Sequence, residues 1–218
     1  MVLLPFGDTQ YELRPTKMIC LGKNYAKHAE EMRSEVPKEP IIFLKPPSSL
    51  IGPEEKIILP KMSKLIHHEV ELAVIIGERG KNVNRNDAMN YVLGYTILLD
   101  ITARDLQNIA RKKGLPWTLC KGFDTFAPVG PRIVSSSELE PDDLEIGLKI
   151  NGEIRQKSRT SEMIFKIPQL IEYISSVMTL EPGDIIATGT PEGVGKIEQG
   201  DVIEAWIEGI GELRVYVE

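Results

Sequence analysis

The segment "HHEVELAVIIGERG", from His67 to Gly80, restricts the fold more than any other part of the chain. Residues two apart in a strand point to the same face, so Glu69 and Glu71 share one face with Ala73 and Ile75. The opposite face is wholly apolar and consists of Val70, Leu72, Val74 and Ile76. A strand with two apolar faces is typical of a position between two layers of structure. Two ionised carboxylates side by side in such a place repel strongly unless a cation or a shared proton joins them.

The composition is that of an ordinary globular protein, with 42% hydrophobic and 27% charged residues in a chain of 218. This length predicts one large domain. A net charge of −6 argues against a nucleic-acid surface, and no apolar run is long enough to span a membrane. The first ten residues lack the features of a secretory signal, so we expect a cytoplasmic protein. The two cysteines exclude a disulfide framework, and Cys20 is expected to pack in the core instead of forming a nucleophile with His28.

The patterning along the chain predicts a mixed, β-dominated α/β fold. Prolines crowd the segment from Glu35 to Lys61, which favours extended segments and turns over helix. The run "YVLGYTILLD" predicts a strand that ends in Asp100. Asn151-Gly152 lies between two alternating runs and predicts a hairpin, and the end of the chain predicts two further strands.

Two helices are predicted. Thr102 and Asp105 resemble a capping box at the start of the first, and Gly114 ends it. Its expected apolar stripe is Leu106, Ile109 and Ala110. The second helix is predicted to start near Pro168, with an apolar face formed by Leu170, Ile171, Ile174, Val177 and Met178.

Asp100 is the candidate third partner for Glu69 and Glu71. Three carboxylates without histidine or thiolate suit Mg²⁺, Mn²⁺ or Ca²⁺ better than zinc. The alternative is that both glutamates pair with Lys or Arg on a neighbouring edge strand, and the spacing alone does not separate the two. His67 is a further candidate if the strand extends that far, as a fourth ligand or as a hydrogen-bond donor to a ligand, although such a histidine is more often simply a residue at a strand end.

Three other segments carry candidate chemistry. His28 and Glu31 are three residues apart and share a face on a helix, as an imidazole base and its orienting carboxylate would. Arg104 and Gln107 have the same spacing, and Arg104 suits a substrate carboxylate, although a surface ion pair with Asp105 or with a neighbouring strand is the simpler alternative. Lys121 follows an apolar run and is a candidate electrophile, Schiff-base amine or counter-ion.

The segment "TGTPEGVGK", from Thr188 to Lys196, is not a nucleotide phosphate loop. The spacing between its glycines is one residue too long, and Ile197 stands where Ser or Thr is required. Its glycines are expected instead to let backbone N–H groups approach an anion.

Seven blocks occur in the order seen in the fumarylacetoacetate hydrolase family, which the chain therefore resembles from about residue 15 onward. The blocks are "LGKNYAKHAEEM", "FLKPPSSLIGP", "HHEVELAVIIG", "YTILLDITARDLQ", "GLPWTLCKGFDTFAPVGP", "KINGEIRQ" and "SSVMTLEPGDIIATGTPEGVG". The resemblance is to the small acylpyruvase and oxaloacetate decarboxylase branch. It implies a β-roll or barrel-like sheet with peripheral helices in one catalytic domain over 1–218, with 1–15 as a short N-terminal segment.

The resemblance also implies roles for individual residues. Glu69, Glu71 and Asp100 match ligands of Mg²⁺ or Mn²⁺, and His28 and Glu31 match an acid–base pair. The position of Lys121 is that of a group stabilising developing negative charge, and a further three residues match substrate-binding positions: Arg104, Gln107 and Thr190. The implied protein is a homodimer acting on a small 2-oxo acid.

The expected activity is metal-dependent hydrolysis of acylpyruvate-type 2,4-dioxo acids, together with oxaloacetate decarboxylation. Isomerases and decarboxylases of longer unsaturated diacids, and sugar-acid dehydratases, are alternatives within the family. A metal-binding scaffold without turnover is the non-enzymatic alternative.

Overall fold

A computed structural model describes residues 1–31 and 35–218; Met32, the last residue of the first block above, lies outside them. The helices are α1 (Ala26–Glu31), α2 (Arg104–Lys113), α3 (Thr118–Lys121) and α4 (Ile167–Val177), with 3₁₀ turns at Pro47–Ser49, Arg85–Tyr91 and Thr160–Glu162. The strands of the first half are β1 (Val2–Phe6), β2 (Thr9–Leu13), β3 (Met18–Gly22), β4 (Ile41–Lys45), β5 (Leu50–Ile51), β6 (Lys56–Ile57), β7 (Ile66–His68), β8 (Val70–Ile76), β9 (Val92–Leu99) and β10 (Thr102–Ala103). Those of the second half are β11 (Ala127–Ser135), β12 (Glu145–Ile150), β13 (Glu153–Arg159), β14 (Ile185–Ala187), β15 (Gly195–Lys196), β16 (Val202–Ile207) and β17 (Gly211–Val217).

The described residues form three sheets. The largest has nine strands in the order β2-β1-β11-β9-β8-β14-β3-β4, with β5 paired to β11. A five-stranded sheet runs β13-β12-β16-β17-β6, and a small one runs β10-β7-β15. The two large sheets touch where β11 meets β17 and where β8 meets β12. This arrangement confirms the predicted β-dominated, mixed fold with few helices.

Strand β8 lies inside the molecule, as its sequence predicts. One face contributes Val70, Leu72, Val74 and Ile76 to the larger apolar cluster. The other contributes Ala73 and Ile75 to a second cluster. All seven residues of β8 are buried, and so is Glu69 just before it, so both carboxylates are withdrawn from water.

The turn predictions are confirmed. Asn151 and Gly152 both have positive φ and connect β12 to β13, and β16 pairs with β17 at the end of the chain. The proline-rich segment contains short strands and one 3₁₀ turn, and Cys20 is buried in the core. Among the described residues, no helix is long and apolar enough to cross a membrane.

The helix predictions are correct in place but not in every detail. The capping box is wrong, because α2 begins at Arg104 and Thr102 lies in β10, where its hydroxyl donates to the carbonyl of Asp100. Ile109 is exposed instead of belonging to the buried stripe. In α4, Leu170, Ile171 and Ile174 are buried as expected, but Val177 is exposed and Met178 follows the helix end.

Candidate active site

The pairing of β8 with β9 brings three acids together. Val70 pairs with Leu99, and the N–H of Asp100 donates to the carbonyl of Glu69 at 2.9 Å, so Glu69 and Asp100 face each other where the two strands diverge. Ligand oxygens of Glu69, Glu71 and Asp100 all lie within 4.8 Å of one another. The three residues are at most 5% exposed. The spacing of the glutamates and the position of Asp100 at a strand end therefore place them together as predicted.

Three buried cations surround this cluster. Lys45 Nζ lies 2.7 Å from Asp100 Oδ1, and Lys121 Nζ lies 2.9 Å from Glu69 Oε2 and also contacts Asp100. Arg104 pairs with Glu69. The alternative drawn from sequence, that the glutamates pair with basic residues, is thus correct for Glu69, although Lys121 and Arg104 come from helices and not from an edge strand.

These ion pairs fix the charge states. Burial by itself raises the pKa of Glu69, but Lys121 and Arg104 outweigh it and hold that pKa well below its usual range. Burial lowers the pKa of Lys121, and the attraction of Asp100 and Glu69 more than restores it, so that the pKa is raised. Lys121 is therefore a cationic donor, which does not suit a Schiff-base amine.

Glu71 differs from the other two acids of the cluster in its partners. Among the described residues it forms no salt bridge, and it accepts a hydrogen bond from Gly189 N at 2.7 Å. Burial, together with the charges of Asp100 and Glu69, raises the pKa of Glu71 well above its usual value. The hard oxygen donors fit Mg²⁺ or Mn²⁺, and a divalent cation bound here would take the place of the proton that the raised pKa keeps on Glu71.

The loop from Thr188 to Gly193 supplies backbone donors to carboxylates of this chain. Gly189 N donates to Glu71, and Gly193 N donates to Glu31 at 3.2 Å. Gly189 has φ = +95°, and a Cβ there would lie 2.7 Å from the Cβ of Asn24, so glycine is required for this approach. Since no helix begins in this loop, the exclusion of a nucleotide phosphate loop is consistent with the structure.

His28 and Glu31 interact as their spacing predicts. His28 Nδ1 lies 3.3 Å from Glu31 Oε2 on α1. Burial lowers the pKa of His28 even though Glu69 and Glu31 act in the opposite direction, so the imidazole is neutral near pH 7. A carboxylate accepts only, so Nδ1 carries the proton and Nε2 is left as the basic nitrogen.

Arg104 lies inside the protein and pairs with Glu69 just before β8, so its ion pair is buried and is not the surface pair with Asp105 or a neighbouring strand that was the alternative. Its guanidinium contacts Gln107 Oε1 as well as Glu69, and its Nε donates to His67 Nδ1 at 3.3 Å. Burial and the charge of Arg104 lower the pKa of His67 to about 4, which keeps the ring neutral as an acceptor. His67 thus contacts Arg104 and is not part of the acidic cluster, so it is not the predicted fourth ligand.

One cavity joins these groups. Its wall includes members of the catalytic, substrate-binding and metal sets proposed from sequence: His28, Glu69, Arg104, Gln107, Lys121 and Thr190. Phe43 and Trp117 form an aromatic side of the cavity, with ring centroids 5.2 Å apart. Polar groups that can move a proton, donate hydrogen bonds and hold a cation therefore converge on a shared space.

Comparison with known proteins agrees with this arrangement. The family model described as fumarylacetoacetate (FAA) hydrolase C-terminal matches residues 17–218. The chain belongs to the fumarylacetoacetate hydrolase family. Members of this family are enzymes, and the resemblance drawn from the seven sequence blocks is confirmed.

Relatives within the fumarylacetoacetate hydrolase family have several activities. The mitochondrial oxaloacetate tautomerase of Arabidopsis thaliana is 51% identical over 93% of this chain and 91% of its own. The fumarylpyruvate hydrolase of Pseudomonas aeruginosa, solved with Mn²⁺ and pyruvate, has a TM-score of 0.93 at 36% identity over 99% of this chain and 95% of that one. A 2-hydroxyhepta-2,4-diene-1,7-dioate isomerase from Mycobacterium marinum has a TM-score of 0.85 at 44% identity, and the match covers 99% of this chain and 76% of that one.

Sequence reasoning missed two buried polar residues at the site. Lys45 follows the apolar run "IIFL" and donates to Asp100 and to the carbonyl of Ile101. Gln156 lies on β13 and donates to Thr190 Oγ1 at 2.9 Å. The signal for Lys45 was a lysine between an apolar strand and Pro46-Pro47, whereas Gln156 had only its place after the hairpin turn.

Replacing Lys45 by methionine is expected to lower the free energy of unfolding by about 3–5 kcal/mol, because Asp100 loses one of its two buried counter-charges. Chemical denaturation of the purified variant measures this. Lys56→Met is the matched control, since Lys56 pairs with Glu218 on the surface and its loss should change stability by about 1 kcal/mol or less. Equal effects of the two substitutions would contradict the structural role given to Lys45.

Proposed function

We propose that this protein is a divalent-metal-dependent enzyme that forms an enolate from a small 2-oxo acid. Keto–enol conversion of oxaloacetate is its first proposed reaction, and hydrolytic C–C cleavage of acylpyruvate-type 2,4-dioxo acids is the second. Loss of CO₂ from oxaloacetate would use the same enolate. The observation that carries the proposal is one cavity lined by neutral His28, by Glu69 of the acidic cluster and by Lys121.

Each reaction needs the chain to bind a metal ion, to bind the substrate and to stabilise developing negative charge. Glu69, Glu71 and Asp100 are proposed to hold Mg²⁺ or Mn²⁺, and such an ion polarises the keto oxygen of a bound 2-oxo acid as a Lewis acid. Arg104, Gln107 and Thr190 are proposed to hold the substrate's oxygens. Lys121 is proposed to stabilise the negative charge that develops on the substrate.

Proton transfer is assigned to His28. Its neutral ring offers Nε2 as a base, while Glu31 holds the Nδ1 proton and so orients the ring. In keto–enol conversion, His28 would remove a proton from the carbon next to the keto group, and the protonated ring would return it to the keto oxygen. In hydrolysis, the same nitrogen would take a proton from water as the water attacks the distal carbonyl. The C–C bond beside that carbonyl would then break, which leaves a carboxylic acid and an enolate, and the enolate carbon would take up the proton.

The similarity of sequence supports oxaloacetate as the first substrate, because the Arabidopsis thaliana relative with half of its residues in common carries the name oxaloacetate tautomerase. Hydrolysis is the second proposed reaction because the Pseudomonas aeruginosa structure, which is that of a fumarylpyruvate hydrolase, matches nearly the whole chain. One catalytic domain over 1–218, a homodimer and a cytoplasmic location remain predictions from sequence.

An ultraviolet assay tests the proposal. Purified protein is given enol-oxaloacetate, acetylpyruvate or fumarylpyruvate, each with Mn²⁺, with Mg²⁺ or with EDTA. We expect enol absorbance to disappear with metal and to persist with EDTA, and product analysis then names the bond changed. If none of the three compounds reacts with protein that demonstrably binds metal, the proposal is contradicted, and longer unsaturated diacids or sugar acids are favoured as substrates.

A further inference from the structure

Two cations at the rim of the cavity form no ion pair with any of the described residues. The inner cations Lys45, Lys121 and Arg104 are each paired with an acid of the cluster. Lys23 and Arg111 also line the cavity, but within the described residues neither forms a salt bridge or a side-chain hydrogen bond. The rim is therefore positive in a protein whose net charge is −6.

Lys23 and Arg111 are close enough to affect each other. Burial and then the charge of Arg111 lower the pKa of Lys23, and Glu35 opposes this only in part. Lys23 also has φ = +61°, a conformation that non-glycine residues seldom adopt and that the surrounding fold must maintain. Two like charges kept together at a cavity mouth are stabilised when an anion lies between them.

We propose that Lys23 and Arg111 bind the distal carboxylate of a substrate that carries one at the end of an extended arm, as fumarylpyruvate does. This rests on the proposed function, in which the inner residues hold the 2-oxo acid end. The aromatic side formed by Phe43 and Trp117 lines the same cavity and would cover an apolar or unsaturated connecting arm.

Fumarylpyruvate and acetylpyruvate form the test pair, because both are 2,4-dioxo acids and only the first carries a distal carboxylate. We expect Lys23→Met and Arg111→Gln each to lower kcat/KM for fumarylpyruvate about tenfold or more, mainly through KM, as for loss of one charged hydrogen bond. Turnover of acetylpyruvate should change less than about twofold. Lys112→Gln removes the same charge from an exposed neighbour outside the cavity and should affect neither substrate.

Equal losses for both substrates, or no loss for fumarylpyruvate, would overturn the proposal. If the wild type turns over neither, the proposed function fails separately, and calorimetry with two unreactive probes tests the rim. The wild type should then bind 2-oxoglutarate more tightly than pyruvate, and Arg111→Gln should remove the difference. No preference in the wild type would also overturn the proposal.

An independent observation concerns the direction of one hydrogen bond. Gln156 is almost completely buried, and its Oε1 accepts from Val70 N at 3.1 Å while its Nε2 donates to Pro191 O at 2.9 Å. These backbone partners have fixed roles, so the amide can take only this orientation. Its Nε2 therefore donates to Thr190 Oγ1, which leaves the hydroxyl proton of Thr190 free to point into the cavity.

We infer that Gln156 is a positioning residue that makes Thr190 a hydrogen-bond donor to an anionic oxygen of the substrate. A double-mutant cycle with Thr190→Val and Gln156→Met tests this. Each single change should lower kcat/KM about tenfold, and the double variant should resemble Thr190→Val alone. Thr190→Ser keeps the hydroxyl and should therefore lose less activity than Thr190→Val.

A purely structural role of Gln156 gives a different result. The amide would still support the loop through Pro191 when Thr190 is valine, so the two losses would multiply. Multiplied losses would overturn the inference. Thermal unfolding of each variant monitors folding, and Gln156→Glu provides a second variant, because its carboxylate would accept the Thr190 proton and should lower activity without shortening the side chain.

Discussion

Replacing Glu71 by glutamine is expected to lower turnover of 2-oxo acids by about three powers of ten while leaving the fold at least as stable. Loss of one ligand removes the several kcal/mol that a Lewis acid contributes, which corresponds to a rate factor of about 10³. The amide is nearly the same size and can still accept from Gly189 N. Steady-state assays with Mn²⁺ and chemical denaturation measure the two effects.

The stability part has a defined pH dependence. Because the pKa of Glu71 is raised in the folded protein, its contribution is favourable below the unfolded value of 4.5 and is lost as pH rises toward the folded value. In metal-free protein, the free energy of unfolding of Glu71→Gln relative to that of the wild type should therefore increase as pH rises above about 4.5. A variant that becomes less stable than the wild type over this range would contradict the charge state given to Glu71.

Asp100→Asn is the informative comparison. Asp100 balances Lys45 and Lys121, so this change should lose activity and also destabilise the fold by about 3–5 kcal/mol. The two acids belong to one cluster, but their variants should differ in stability, because Glu71 alone has no cationic partner among the described residues. Equal destabilisation by the two variants would contradict the ion pairing.

Replacing His28 by glutamine is expected to lower acetylpyruvate hydrolysis by about 10²–10⁴-fold, the usual contribution of a general base. Decarboxylation of oxaloacetate needs no attacking water and should fall less. The measurement compares kcat for both reactions in the wild type and the variant. Glu30→Gln, an exposed change on the same helix, is the control. Equal losses in both reactions would argue against water activation by His28.

The protonation of His28 also sets the low-pH limit of hydrolysis by the wild type. Burial lowers the pKa of His28 from 6.5, so the basic form predominates at neutral pH. Hydrolysis should be constant from pH 8 to about 6.5 and should decline only as pH falls through the lowered pKa. A midpoint above pH 6.5 for the rising limb would contradict a buried neutral histidine as the base.

Local patterns in the sequence predicted the parts of the site that depend on neighbours in the chain. The alternation in β8 put Glu69 and Glu71 on one face, and the strand that was predicted to end at Asp100 supplied the third acid. The spacing of His28 and Glu31 gave their contact on α1. In each case strand or helix geometry determines which side chains meet.

The counter-charges could not be predicted in this way. Lys45 and Asp100 are 55 positions apart, and Arg104 reaches Glu69 from 35 positions away. Whether a lysine is buried beside an acid or exposed to water depends on how distant segments pack, and no periodicity records it. The capping box failed for a related reason, since pairing of β10 with β7 engages Thr102 in a sheet.

Titration of Mn²⁺ into EDTA-treated, dialysed protein tests the central claim most directly. Calorimetry should give one Mn²⁺ per chain for the wild type and for Glu172→Gln, which removes an exposed acid paired with Arg85. Glu71→Gln should lose that binding. No binding to the wild type, or the same affinity in Glu71→Gln, would contradict the assignment of the buried carboxylates as a metal site.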